Sequence, residues 1–315
     1  MAKNDFCVMM ATMDKTLQAI LDSVGSIILG KERQIRLAVA CLLARGHLLI
    51  EDLPGVGKTT LAHVLARSLG LDYQRIQFTS DLLPADILGV SIYDRAAGGF
   101  QVHPGPVFSQ LILADEINRA TPKTQSALLE AMEEGQITVE GETRKLPDPF
   151  FVIATQNPTF QIGTFPLPES QLDRFLMRIE LGYPGAAAER EMLAGADRRA
   201  LTAALLPVVD TAGLRALQEQ AATVHASPAL IDYVQSLLEF SRESPLYATG
   251  LSPRAGLALL RGARAWALLA GRDYLLPEDV QAVLPGVVGH RLHGRDGEDG
   301  DPARVLRPLL ELAIP

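Results

Sequence analysis

His47-Leu48-Leu49-Ile50-Glu51-Asp52-Leu53-Pro54-Gly55-Val56-Gly57-Lys58-Thr59-Thr60 is the stretch on which the reading of this 315-residue chain turns. Residues 47–50 form a short apolar run that stops at Pro54-Gly55, the pattern of a strand buried on both faces. A helix is predicted over 58–69. Between them, Gly55 and Gly57 let the backbone curl so that successive N–H groups converge on an anion. The N-terminus of the helix adds its partial positive charge. Strand, glycine loop, Lys-Thr and helix together make a phosphate cradle. Its predicted binding residues are Pro54, Gly55, Val56, Gly57, Lys58, Thr59 and Thr60. Lys58 neutralises β- and γ-phosphate charge, and the Thr59 hydroxyl is a Mg2+ ligand. The pattern G-x-x-x-x-G-K-[ST] calls for glycine at position 52, where this chain has Asp52. Two carboxylates, Glu51 and Asp52, beside an anionic ligand should weaken its binding. Asp52→Gly is therefore expected to tighten it.

Working outward, further apolar strands are predicted at 76–78, 111–114, 150–154 and 177–181. Helical patterns lie at 14–45, broken at Gly30, and at 122–134 and 169–175. Strands alternating with helices give an α/β domain with a largely parallel sheet covered on both faces. The strand at 111–114 ends in Asp115-Glu116. An acidic pair in that position supplies the second half of a phosphoryl-transfer site. Asp115 holds Mg2+ through its water shell, and Glu116 acts as general base on the attacking water. Nothing resembles the guanine-selecting Asn-Lys-x-Asp motif, so the nucleotide is read as ATP.

After Tyr183-Pro184-Gly185 the texture changes. Ala and Leu dominate, strand signals vanish, and helices are predicted at 186–201, 210–224, 227–241, 253–270 and 277–284. Pro207, Pro228, Pro245, Pro253 and Pro277 punctuate them, mostly near helix starts. The expected organisation is a tail over 1–13, a nucleotide-binding core over 14–183, a hinge at Pro184-Gly185 and an all-helical domain over 186–315. Glycines and acids crowd 286–302, which is read as a mobile surface loop.

Composition narrows the classes. Hydrophobic residues make up 48% and charged residues 21%, which excludes a disordered chain. The net charge of −8 lacks the basic balance of a protein that grips nucleic acid through phosphates. No window reaches the roughly 18 uninterrupted apolar residues of a membrane span. The N-terminus lacks a secretory signal pattern. The two cysteines, Cys7 and Cys41, form no spaced pattern and read as reduced residues of a cytoplasmic protein.

With these residues in hand, the chain resembles the MoxR family of AAA+ ATPases over about residues 27–290. The resemblance is carried by Gly105-Pro106-Val107-Phe108, Asp115-Glu116-Ile117-Asn118-Arg119-Ala120 and Gln125-Ser126-Ala127-Leu128-Leu129-Glu130-Ala131-Met132. It continues through Ala154-Thr155-Gln156-Asn157-Pro158 and Leu167-Pro168-Glu169-Ser170-Gln171-Leu172-Asp173-Arg174-Phe175. It implies a P-loop AAA+ core followed by an all-α lid, ATP and Mg2+ as ligands, and a ring of copies, hexameric in the family. Asn157 matches sensor 1, which orients the attacking water beside Glu116. Arg174 matches the arginine finger reaching a neighbouring subunit's γ-phosphate, with Arg178 and Arg119 as substitutes. Arg254 matches sensor 2 at the start of a lid helix, touching the phosphates from above. Residues 82–100 fit the helix 2 insert, with a turn at Gly98-Gly99. Residues 135–149 fit the pre-sensor 1 hairpin, turning at Gly141. In relatives these elements face the pore or the client. The clients the resemblance implies are often proteins with a von Willebrand factor A domain.

The remaining signals carry no chemistry of their own. The six histidines show no zinc spacing; His290 and His293 are expected to face solvent, and Trp266 to sit in the lid core. Two rival functions remain open from the residues alone. One is a nucleic-acid motor, against which the acidic balance speaks. The other is a nucleotide-gated scaffold with little turnover, against which Glu116, Asn157 and Arg174 speak.

Overall fold

The computed structural model describes residues 2–94, 99–139, 141–157, 164–295 and 302–314, with the side chains of 2–12, 94, 99–100 and 302–303 left out. In chain order the first half runs α1 (Ala2–Gly25), α2 (Glu32–Leu43), β1 (Leu48–Glu51), α3 (Lys58–Ser68), β2 (Tyr73–Gln77), α4 (Pro84–Leu88), β3 (Gly89–Asp94), β4 (Gly99–Pro104), β5 (Leu111–Asp115) and α5 (Pro122–Glu134). There follow β6 (Gln136–Val139), β7 (Glu142–Lys145), β8 (Phe151–Gln156), α6 (Glu169–Leu172) and β9 (Met177–Ile179). Helices α7 (Ala186–Ala194), α8 (Arg198–Ala204), α9 (Thr211–Thr223), α10 (Pro228–Glu243), α11 (Pro253–Leu268), α12 (Pro277–Val288) and α13 (Pro302–Leu310) complete the chain.

The central sheet is parallel throughout, in the order β2-β5-β8-β1-β9. Its inner strands are apolar without alternation because both faces are covered. The pleat divides them between two cores. Leu48, Ile50, Leu111, Leu113, Phe151 and Ile153 point into one core, which runs on through α2 and α3 into the lid helices. Leu49, Ile112, Ala114, Val152 and Ala154 point into the other, shared with α5. The lid therefore packs on the same face of the sheet as α2 and α3.

Several lid helices begin where the prolines predict. Pro228, Pro253 and Pro277 open α10, α11 and α12. Ser227 and Ser252 accept the N-terminal amides of Leu230 and Ala255, which satisfies donors the helix cannot. Trp266 packs partly buried against the lid core, with the Arg36 guanidinium 4.7 Å from its ring centroid.

Five expectations need correction. Residues 2–13 belong to helix α1 rather than to a separate tail. The helix expected over 186–201 is interrupted at Gly195, and that over 169–175 shortens to the four residues of α6. Residues 286–292 are not a mobile surface loop: α12 runs to Val288, and His290 and Leu292 in the turn that follows are buried. Gly289 serves close packing there: a Cβ on it would stand 2.7 Å from the Pro285 carbonyl oxygen. His290, expected in solvent, holds the Phe175 carbonyl through Nε2. The 296–301 stretch and Gly98 lie outside the described residues.

The two expected insertions are antiparallel hairpins, β3–β4 and β6–β7. Gly141 turns the second with φ of 82°. Val90 and Ile92 on β3 are exposed. No described helix is long and apolar enough to cross a membrane. Cys41 is a buried free thiol, and burial pushes its pKa well above the ordinary range.

Candidate functional site

The predicted phosphate residues gather at the carboxyl ends of the sheet strands, where open α/β sheets present their ligand crevice. The loop from Asp52 to Gly57 leaves β1 and enters α3. Gly55 and Gly57 have φ of 87° and 99°. A Cβ at either would meet nothing within 4 Å, so backbone conformation rather than crowding requires glycine. Gly57 caps α3 without a side-chain hydrogen bond. The first amides of the helix are thus left for a ligand.

Lys58 is buried. Its Nζ donates to the Asp52 carbonyl (2.6 Å), Asn157 Oδ1 (3.1 Å) and the Gln156 carbonyl (3.3 Å). Burial lowers its pKa, while the carboxylates of Asp52, Asp115, Glu116 and Glu51 oppose that shift. Asn157 also donates through Nδ2 to Glu116 Oε1 at 3.0 Å. One buried amide therefore joins the phosphate-holding cation to the candidate base.

Asp115 and Glu116 leave β5 in different directions. Asp115 stays in the sheet. It accepts from Thr155 Oγ1 on Oδ1 (2.6 Å), and from Arg75 Nη2 (2.7 Å) and Thr59 Oγ1 (3.4 Å) on Oδ2. Glu116 has φ of 57°, a left-handed conformation that costs a non-glycine residue about 1–2 kcal/mol. The turn re-aims its side chain. Its amide donates to Thr155 Oγ1, and Oε2 accepts from Gln77 Nε2 (2.9 Å) with Arg119 Nε at 3.2 Å. Arg75, Gln77 and Thr155 were not among the predicted residues. Arg75 and Gln77 stand two apart on β2, so they share one face of the strand next to Asp115. That alternation was the available signal.

The donor set suits Mg2+. Such an ion commonly takes one or two protein oxygens and fills its shell with water and substrate phosphates. Thr59 and Asp115 offer one hydroxyl and one carboxylate side by side. No group of three or more His, Cys, Asp or Glu that could hold a metal occurs among the described residues.

The predicted arginines are distributed otherwise. Arg178 pairs with Glu51 at 2.9 Å, and Arg119 belongs to the Glu116 cluster. Arg174 and Arg254 converge on a single carboxylate, Glu133, at 3.1 and 2.6 Å. Arg254 also faces Asp173 at 3.7 Å. Its ion pairs are with these two acids. Arg174 and Arg254 border a cavity of about 230 Å3, together with Arg45, Arg261, Arg291 and Asp173. Arg291 anchors the segment that carries Arg174. It donates to the Asp173 carboxylate and carbonyl and to the carbonyls of Phe175, Leu176 and Val287.

The worry about Glu51 and Asp52 is answered by where they point. Glu51 is engaged with Arg178. Asp52 accepts the Leu53 amide (2.7 Å) and the Gly182 amide (2.6 Å). The predicted repulsion toward an anionic ligand is therefore largely spent on other partners.

Against known proteins, residues 47–177 match the ATPase family associated with various cellular activities (AAA), and residues 239–309 match the AAA lid domain. The chain is 46% identical over 272 residues to the Bacillus subtilis protein YeaC, covering 86% of this chain and 85% of that one. It is 42% identical over 287 residues to the chaperone MoxR1 of Mycobacterium tuberculosis, covering 88% and 75%. A solved structure of a putative ATPase from Cytophaga hutchinsonii superimposes with a TM-score of 0.89 at 34% identity, covering 100% of this chain and 99% of that one. Sheet order, phosphate loop, acidic strand end and helical lid agree with these likenesses, and the chain belongs to the MoxR family of AAA+ ATPases.

Proposed function

We propose that the chain hydrolyses ATP in a ring of its own copies, each pocket being completed by arginines of a neighbour. The observation that carries the reading is the Asn157 amide. It accepts from Lys58 and donates to Glu116, which fixes cation and base in one network. The amides of the 54–60 loop and Lys58 bind the β- and γ-phosphates, Lys58 leaving the Asp52 carbonyl to do so. Glu116 takes a proton from the water as its oxygen bonds to the γ-phosphorus. The bond from that phosphorus to the β–γ bridging oxygen breaks, and ADP and phosphate are the products. Mg2+, held by Thr59 and Asp115, supplies neutralisation of phosphate charge when bound.

Arg174 and Arg254 lie together on a surface built by α5, the segment after α6, and α11. From there they stabilise transition-state charge on a neighbour's triphosphate. Their counter-charge, Glu133, is partly exposed, so exchanging it for phosphate costs little. The name of the mycobacterial relative supports a chaperone-like role. The ring then remodels protein clients in the cytoplasm, of which von Willebrand factor A domain proteins are the class the resemblance implies.

Glu116→Gln tests the reading. The variant keeps ATP binding and loses turnover by about 10^2–10^4-fold, the usual contribution of a general base. Robust hydrolysis by the variant removes Glu116 from its role. Tight binding without turnover by the unaltered chain would make it a nucleotide-gated scaffold.

A further inference from the structure

Asp52 occupies the first position of the phosphate loop, where the pattern asks for glycine, and each of its polar groups is engaged. Its amide donates to the Gln156 carbonyl at 3.2 Å, joining the loop to the end of β8. Its carbonyl accepts from Lys58 Nζ. Its carboxylate accepts from Leu53 next door and from Gly182, which is 130 residues away and lies in the linker between core and lid. Gly182 has φ of 64°, a conformation that glycine adopts at little cost. The adjoining peptide is held from the other side: Lys31 Nζ donates to the Tyr183 carbonyl at 2.7 Å. The linker therefore passes through a clasp, with an acid on one amide and a base on the next carbonyl. Two residues further on, Gly185 caps α7, the first lid helix.

We propose that Asp52 is a positioning residue that transmits occupancy of the phosphate loop to the Gly182–Tyr183 linker, and through it to the lid. This rests on the nucleotide-binding reading given above. One residue holds Lys58 by its backbone and the linker by its side chain. When Lys58 turns from the Asp52 carbonyl to a phosphate, that peptide loses its cationic partner and is free to reorient. The carboxylate on the same residue carries the change to the Gly182 amide. A glycine at position 52 would bind phosphate but could not hold the linker.

The test uses the full chain and compares it with Asp52→Asn, close to isosteric, and Asp52→Gly. The probes are ADP and a non-hydrolysable ATP analogue with Mg2+. Nucleotide affinity, thermal midpoint and amide hydrogen exchange across residues 180–186 are measured in parallel. In the unaltered chain, nucleotide should change exchange at Gly182 and Tyr183 by about tenfold, the scale of one charge-assisted hydrogen bond. Asp52→Gly should still bind nucleotide, since the loop amides and Lys58 remain, and its linker should exchange fast and no longer respond. Asp52→Asn, which retains one acceptor oxygen, should respond to an intermediate degree. The idea is overturned if Asp52→Gly folds and its linker still responds in full, or if the unaltered chain binds nucleotide and its linker does not respond. Failure of the unaltered chain to bind nucleotide at all would be recognised in the affinity arm; it defeats the functional reading and this inference with it. If Asp52→Gly fails to fold, Asp52→Asn decides alone: a response equal to that of the unaltered chain overturns the proposal.

Discussion

The phosphate edge and the arginine face are built on opposite principles. At the phosphate edge, Lys58, Asn157, Glu116, Asp115 and Thr155 satisfy one another over short distances, and Thr155 and Asn157 are 0% and 1% exposed. At the arginine face, Arg254 is 47% exposed, and it shares Glu133, itself 34% exposed, with Arg174. A buried, fully bonded network holds its groups in place before substrate arrives, because each unpaired member would be costly. A half-exposed ion pair is worth at most about 1 kcal/mol and can be exchanged for another anion. The first is therefore suited to holding ATP in its own chain, and the second to reaching ATP held by another.

The largest effect that would sharpen this contrast is on turnover without binding. Arg174→Ala should leave nucleotide affinity within about threefold, because its contacts lie away from the loop. It should lower steady-state hydrolysis by about 10^3-fold, the lower range for an arginine finger. A fall in affinity matching the fall in rate would put Arg174 in the binding edge and erase the distinction.

Acid should separate the two regions next. His290 Nε2 holds the Phe175 carbonyl, beside Arg174. His47 accepts from the Val152 amide on Nδ1, so Nε2 carries the proton and donates to the Met132 carbonyl, beside Glu133. Both rings are kept neutral by burial, His47 down to about 4 and His290 well below 6.5. In the unfolded chain histidines protonate near pH 6.5. The folded chain thus binds fewer protons, and the stability these rings contribute is complete above pH 6.5 and is lost as pH falls toward 4. Urea midpoints between pH 7.5 and 4.5 should decline across that window. Exchange should rise first around 132–134 and 173–176, ahead of the amides of 155–157. Simultaneous loss of both would show that the regions are not separable by acid.

The smallest effect is that of Glu133→Gln. Removing the charge shared by two arginines should change unfolding stability by less than about 1 kcal/mol, measured by chemical denaturation. A loss of several kcal/mol would mean that the arginine face is a structural network after all.

The same contrast decides how much was legible in the sequence. Strand, glycine loop and Lys58 are contiguous. Asp115-Glu116 ends a run of apolar strand residues, so local pattern located that much of the phosphate edge, and the family resemblance added Asn157. Gln77 and Arg75 escaped because the edge strand β2 buries only Ile76 and so shows no clear apolar run. The pairing of Arg254 with Glu133 and Asp173 was not legible, because these partners come from other elements and no periodicity reports such meetings. Residues 286–292 read as a loop because glycine signals turns more often than close helix packing. At Gly289 the reason for glycine is the Pro285 carbonyl oxygen, 2.7 Å from where a Cβ would stand. At Asp52 the charge was legible but its direction was not: the Gly182 amide that absorbs it lies 130 residues further on.

The central claim is that two copies jointly build each working pocket. Mixing Arg174→Ala chains with Lys58→Ala chains tests it most directly, since each is defective at a different edge. ATP hydrolysis should reappear in the mixture, peaking near equal amounts, while each variant alone stays inactive. Hydrolysis that never exceeds the sum of the two separate variants at any ratio contradicts the shared pocket.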